Sequence, residues 1–212
     1  MPDWNKLIEA KIALAQRGAK PGKPHPDRRV PAGQTLVTDF PVLDLGMRPG
    51  ITQARWQLRI FGLVEQEVNL DWPAFRALPQ VADTSDFHCV TRWSCLDIPW
   101  EGVRARDLLA MTSPMPAAQY VRLHSYDDYT TNLPLEALLD DDVIVAHSAF
   151  GQPLTEEHGG PVRLVVPKRY AWKSPKWLRG IELLAEDRPG FWEKRGYHND
   201  ADPWLEQRFS QA

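Results

Sequence analysis

The chain has 212 residues, a formal net charge of -3 and only two cysteines. That length buries a substantial core, the mild acidity gives no reason to expect nucleic-acid binding, and two thiols are too few for a disulfide scaffold. Nine tryptophans and nineteen prolines point to an irregular, loop-rich α+β protein with many short strands, because Trp supplies large packing surfaces and Pro breaks helices.

In chain order, Trp4, Leu7, Ile8, Lys11, Ile12 and Ala15 follow the 3, 4, 7 spacing of an amphipathic helix, begun by Pro2 or Asp3 and stopped by Gly18. The stretch to Gly33, with Pro21, Pro24, Pro26, Pro31 and the cations Lys20, Lys23, Arg28 and Arg29, reads as a basic surface arm, either solvated or lying near an anionic cofactor. Phe40-Pro41-Val42-Leu43 is extended. Trp56 to Phe61 alternates as a strand, and a second short strand is expected over Val64 to Leu70. Asp71 caps a short helix with Pro73 in its first turn, closed by Leu78-Pro79.

After an extended stretch around Cys89, Trp100-Glu101-Gly102-Val103 leads into a helix over 105 to 110. Strands follow at Tyr120 to His124, Tyr129 to Leu133 and Asp142 to Ala146. A helical turn covers Leu135 to Leu139, and Phe150 to Leu154 turns. Arg163 to Val166 and Trp177 to Leu184 are strands separated by a basic loop. The aromatic stretch Gly190 to Trp204 reads as a structural clamp. No run approaches the ~18 apolar residues of a membrane span. The first residues lack an apolar core behind a basic start, so a cytoplasmic protein with reduced thiols is expected.

Two stretches carry chemistry. Asp86-Phe87-His88-Cys89-Val90-Thr91-Arg92-Trp93-Ser94 sets a cysteine in an apolar, aromatic run. By burial tendency such a cysteine is a small hydrophobe, yet its thiolate is also the soft ligand that redox metals take. The second stretch begins at His158-Gly159-Gly160-Pro161-Val162-Arg163. From Arg163 to Arg179 it carries six cations (Arg163, Lys168, Arg169, Lys173, Lys176, Arg179) and no acid, a local +6 that leaves -9 for the rest of the chain. Such a run is either a solvated face or a phosphate site, and the Gly-Gly-Pro turn would let backbone approach a ligand.

Together these stretches resemble the oxidoreductase molybdopterin-binding family, of sulfite-oxidase-like fold, and within it small bacterial members related to the methionine-sulfoxide reductase catalytic subunit. The resemblance runs from about residue 38 to 204. It rests on Asp86 to Thr91, Trp100 to Val103, His158 to Pro167 with Tyr170, Lys173 to Lys176, and Gly196-Tyr197. It implies residues 1–37 as an N-terminal helix and arm, 38–204 as the molybdopterin-binding domain and 205–212 as a tail.

By the same resemblance the cofactor is molybdenum with a single molybdopterin. Cys89 is the metal ligand, and Arg92, the nearest cation, is the candidate for a catalytic role beside it, although on an extended segment it would face away. His88, Ser125, His158, Arg163, Lys173, Ser174, Pro175 and Lys176 are the cofactor contacts, and Phe40 to Leu43 is a further contact segment. The several arginines that sulfite-oxidising members gather around their substrate are not found near Cys89. That directs the expectation to reduction of a small S-oxide or N-oxide. No heme-binding or additional dimerisation domain is legible, so an unidentified electron carrier is expected as partner.

Two other readings stay open. One is a thiol hydrolase or transferase with Cys89 as nucleophile and His124, His147 or His158 as base. The other is a cofactor-poor binding module of the same fold.

Overall fold

The computed structural model describes residues 4–16, 23–39, 41–44 and 46–210. Helix α1 spans Trp4–Gln16 and buries Ala15. The caps expected for it at Pro2, Asp3 and Gly18 lie outside the described residues, as do Lys20, Pro21 and Phe40. Strand β1, Thr35–Val37, was not expected; it follows directly on the arm. Strand β2, Gln57–Gly62, buries Leu58 and Ile60 by alternation, and β3 is confined to Val68–Asp71. Asp71 caps helix α2, Trp72–Ala77, accepting from the Ala74 amide at 2.9 Å with Pro73 in the first turn, as its sequence requires.

Strands β4, Val81–Cys89, and β5, Trp93–Arg104, form a long hairpin that runs straight into helix α3, Ala105–Ala110. Then come β6, Tyr120–Ser125, β7, Thr130–Pro134, β8, Ile144–Ala149, the short β9, Gln152–Pro153, β10, Arg163–Val165, and β11, Leu178–Leu184.

These strands make two sheets, which with few and short helices is the α+β architecture expected. In the first sheet β5 is the spine. It pairs with β4 along one edge, and with β1 and then β8 along the other, β10 and β9 completing the sheet on β8. Gly102 is needed at the β5–β8 crossing, where a Cβ would come within 2.1 Å of the Val145 carbonyl oxygen. The second sheet has the order β3-β2-β11-β6-β7, with β2 and β11 parallel.

Two apolar clusters follow. One packs Trp56, Leu58, Ile60, Leu108, Leu123 and Ile181; the other holds Phe87, Cys89, Trp93, Trp100, Tyr170 and Tyr197. The second cluster gathers the chain's aromatic excess around its cysteine.

Segments near both ends of the described chain pack on the rest of the fold. β1 hydrogen-bonds in parallel to β5, and near the C-terminus Arg208 reaches the Val90 carbonyl oxygen at 2.6 Å while Phe209 packs on Tyr197. Among the described residues no helix is long and apolar enough to cross a membrane.

Candidate active site

Cys89 closes β4, and its position is fixed from several sides. Its carbonyl oxygen accepts from the Arg92 amide at 3.0 Å and from the Gln34 side chain at 3.0 Å. The turn between β4 and β5 places Arg92 at φ 73°, in the left-handed region. Upstream, the register of the hairpin slips between Ser85 and Phe87. The carboxylate of Asp86 ties that bulge down by accepting from the Asp97 amide and from Arg29. A bulge re-aims the side chains that follow it: Phe87 and Cys89 face a cavity of about 160 Å³, and His88 faces the other way.

The Cys89 sulfur lies 3.1 Å from the Thr91 hydroxyl. Burial pushes the thiol pKa up, opposed first by Thr91 and then by the charges of Arg208 and Lys11. A buried thiol of this kind ionises when a cation or metal joins it.

At the other end of the cavity β10 presents Arg163, which is 2% exposed. Its guanidinium donates to the carbonyl oxygens of His158 at 2.9 Å and Ser174 at 3.0 Å, and lies 4.9 Å over the Phe87 ring. Burial pushes its pKa down to about 9. Lys176 lies beside it and donates to the Glu157 carbonyl oxygen. Burial and then the charge of Arg163 push Lys176 down to about 8. Ser125, at the end of β6, lines the same cavity with a fully buried hydroxyl that has no hydrogen-bond partner among the described residues. Ser174 and Pro175 line it too.

A thiol at one end, two cations at the other, with Lys176 3.8 Å from the Asp44 carboxylate, and an orphaned hydroxyl between them suit a guest with a soft metal centre and an anionic tail. Among the described residues no cluster of three His, Cys, Asp or Glu side chains could hold a bare ion, so the metal has to bring most of its own ligands. Molybdenum carried on a pterin dithiolene with a terminal phosphate meets both conditions.

Five of the expected cofactor contacts are thus brought to the cavity beside Cys89 itself: Ser125, Arg163, Ser174, Pro175 and Lys176. Of the looser segment 40–43, Pro41 and Leu43 line it, and Phe40 lies outside the described residues.

Four of the expected residues do not line this cavity. His88 is fully buried behind the hairpin, its ring 2.8 Å from the Ser94 hydroxyl and edge-on to Trp204. Lys173 has its ammonium 2.7 Å from the Glu193 carboxylate and 2.8 Å from the Asn132 carbonyl oxygen, away from the cavity. His158 contributes its backbone carbonyl to Arg163, while its ring bonds the Thr155 hydroxyl. Arg92 sits on the turn, not on an extended segment, and does not line the cavity.

The glycines of the Gly-Gly-Pro turn also serve close packing within the chain. A Cβ on Gly159 would meet Lys176 at 2.9 Å, and one on Gly160 would meet the Leu154 carbonyl oxygen at 2.1 Å. Both glycines let chain segments close on each other, which seats Lys176. The remaining imidazoles proposed as bases find partners elsewhere: His124 with Glu182, and His147 with Arg76 and Ser148.

Further lining groups were not among the expected cofactor contacts, among them Lys11 and Leu14 from α1, Asp44, Asp127 and Tyr129, and Trp192 and Tyr197 from the aromatic clamp. Tyr197 is 3% exposed, and its hydroxyl is held protonated by burial and by its proximity to Cys89.

Known proteins resemble this chain. The model of the oxidoreductase molybdopterin binding domain matches residues 45–192. An uncharacterised oxidoreductase of Bacillus subtilis, YuiH, is 45% identical over 86% of this chain and 92% of its own length. The protein-methionine-sulfoxide reductase catalytic subunit MsrP of Gluconobacter oxydans is 29% identical over 84% of this chain, which spans 66% of that relative. Among solved structures, the sulfane dehydrogenase SoxCD of Paracoccus pantotrophus superposes with a TM-score of 0.61 at 22% identity, over 69% of this chain and 41% of that one. The chain belongs to the oxidoreductase molybdopterin-binding domain family, and is a molybdenum-molybdopterin oxidoreductase of sulfite-oxidase-like fold.

Proposed function

We propose that the protein reduces a small S-oxide or N-oxide, with Cys89 holding the molybdenum and with Ser125, Arg163, Ser174, Pro175 and Lys176 holding the pterin and its phosphate. The observation that carries this reading is the distribution of positive charge in the cavity. Among the described lining residues the cations are Lys11, Arg163 and Lys176. The last two are assigned to the cofactor phosphate, which leaves one cation for the substrate. Sulfite is a dianion, and the transition state of its oxidation gains most from several fixed cations at the metal. A single cation and an aromatic wall suit an oxide.

When bound, the cofactor supplies the oxygen-atom transfer. The chain's own part is to orient the substrate, exclude water and donate to the oxide oxygen. Phe87, Val90, Trp93 and Trp192 form the wall beside Cys89. The Tyr197 hydroxyl, protonated throughout the physiological range, is the donor for the departing oxygen. Reduction of one sulfoxide to a sulfide consumes two electrons and two protons and yields one water. Asp127 also lines the cavity with its carboxyl pKa raised by burial, and can relay a proton. The electrons come from a separate carrier, and the compartment is the cytoplasm, where Cys89 and Cys95 stay reduced. The MsrP name supports the S-oxide branch of this reading.

The test is steady-state kinetics on metal-replete protein: sulfite with an artificial acceptor against sulfoxides and N-oxides with a reduced dye. The oxides are expected to give the higher kcat/KM, with Tyr197→Phe lowering kcat by about 10²-fold or more. A sulfite kcat/KM above that of every oxide tried overturns the proposal.

A further inference from the structure

Helix α1 lies outside the stretch that matches the family, which begins at residue 45, yet it supplies part of the cavity wall. Ala15, 1% exposed, and Ile12 pack on the apolar cluster that contains Cys89, Trp93 and Tyr197. That anchor turns the neighbouring stripe of the helix, Lys11 and Leu14 at i, i+3 spacing, toward the cavity, which both residues line. Leu14 is 43% exposed and Lys11 half-buried, whereas Arg163 is 2% exposed. α1 therefore stands toward the mouth of the cavity, and Arg163 stands at its floor.

The Lys11 ammonium is spent on nothing else. Among the described residues it has no hydrogen-bond or ion-pair partner, although Asp44 and Asp127 line the same cavity. Its charge is felt by both the Cys89 thiol and the Lys176 ammonium, so it lies within electrostatic reach of each. Several cations of the basic loop differ in this respect: Lys168 pairs with Asp140 and Asp142, Lys173 with Glu193, Arg179 with Asp128, and Lys176 lies 3.8 Å from Asp44. A half-buried ammonium without an ion-pair partner among the described residues, at the mouth of a cavity with aromatic walls, can receive an anion.

We infer that Lys11 is a specificity-determining residue that binds the anionic group of the substrate, so that the preferred oxides are small molecules carrying a carboxylate or a similar single negative charge. This rests on the oxide-reductase reading above and narrows its substrate class. Leu14 beside Lys11 narrows the mouth, which favours a small solute over an oxidised side chain on a folded protein surface.

The experiment compares a neutral oxide, dimethyl sulfoxide, with a carboxylate-bearing one, methylsulfinylacetate, on cofactor-loaded wild type, Lys11→Met and Lys11→Arg. Binding of the non-reducible methylsulfonylacetate is followed in parallel by quenching of the cavity tryptophans Trp93, Trp172 and Trp192. Lys11→Met should raise KM for methylsulfinylacetate about tenfold or more, since a charge-assisted contact is lost. It should leave kcat nearly unchanged and raise KM for dimethyl sulfoxide much less, because a neutral oxide has no charge for Lys11 to hold. The Kd of the sulfone should rise by the same factor, and Lys11→Arg should restore most of both.

Molybdenum and released pterin should be equal in all three proteins. Loss of cofactor from Lys11→Met would assign the residue to the cofactor phosphate and overturn the inference. So would an equal change for both oxides, or an unchanged sulfone Kd. If wild type turns over neither oxide, the oxide-reductase reading fails, and the sulfone Kd still decides what Lys11 binds.

Discussion

Arg163 and Lys173 stand ten positions apart in the same basic run, are both buried, and are used in opposite ways. Lys173 has its counter-charge inside the fold. Glu193 lies 2.7 Å away and is itself held by the Thr131 hydroxyl and the Trp172 indole. Burial lowers the Lys173 pKa and Glu193 opposes that shift. Arg163 is held by two carbonyl oxygens and two ring faces, Phe87 and Trp100, and burial pulls its pKa down to about 9. Dipoles and ring faces soften a buried charge without cancelling it. Lys173 ties the turn at 171–173 to Asn132 on β7 and to Glu193, while Arg163 faces the cavity.

The largest expected effect separates the two directly. Lys173→Met strands the buried Glu193 carboxylate and should cost about 3–5 kcal/mol of apo-protein stability, measured by chemical denaturation. Lys173→Met with Glu193→Gln should recover a good part of that loss. If Lys173→Met instead keeps full stability and loses cofactor, the contrast collapses and Lys173 belongs to the phosphate grip.

Arg163→Met is the mirror experiment. It should weaken cofactor retention about ten- to a hundredfold, read as molybdenum and released pterin after dialysis. Apo stability should fall by less than in Lys173→Met, because no carboxylate is left stranded. Full cofactor occupancy in Arg163→Met would contradict the assignment.

This contrast was not legible in the sequence, and the reason is physical. Six cations in seventeen residues look like one feature, but their counter-charges come from remote parts of the chain. Glu193, Asp140, Asp142 and Asp128 decide which cations are spent, and only the tertiary fold brings them in. The same holds for Lys11, Trp192 and Tyr197, which reach the cavity from segments that read as an amphipathic helix and an aromatic clamp.

His88 is different, because its placement was within reach. A two-residue side-chain period sends neighbours to opposite faces, so a Cys89 that faces the cavity excludes His88 from it. Local signals were sufficient where the cause is local: the Asp71 cap with Pro73, the helix at 105–110, and the strands at 57–62 and 120–125. The hairpin turn at Arg92 was missed because its left-handed residue is not a glycine.

The smallest effect concerns pH. Folding lowers the Lys176 pKa from 10.5 to about 8. Between those values the unfolded chain binds more protons than the folded one, so apo stability should rise with pH across the window. Arg163, at about 9, acts in the same direction. Cofactor retention should run the other way, full below pH 8 and weakening several-fold above it as Lys176 loses its proton. Lys176→Met should flatten the part of both profiles nearest pH 8; an unchanged retention profile in that variant would remove Lys176 from the grip.

The central claim is that Cys89 is the protein's ligand to molybdenum. X-ray absorption at the molybdenum edge, on cofactor-loaded wild type, Cys89→Ser and Cys95→Ser, tests it most directly. The account predicts that Cys89→Ser loses one sulfur scatterer and its redox turnover, while Cys95→Ser, on the adjacent strand, keeps the wild-type sulfur count. The same sulfur count in wild type and Cys89→Ser, with metal still bound, would contradict it.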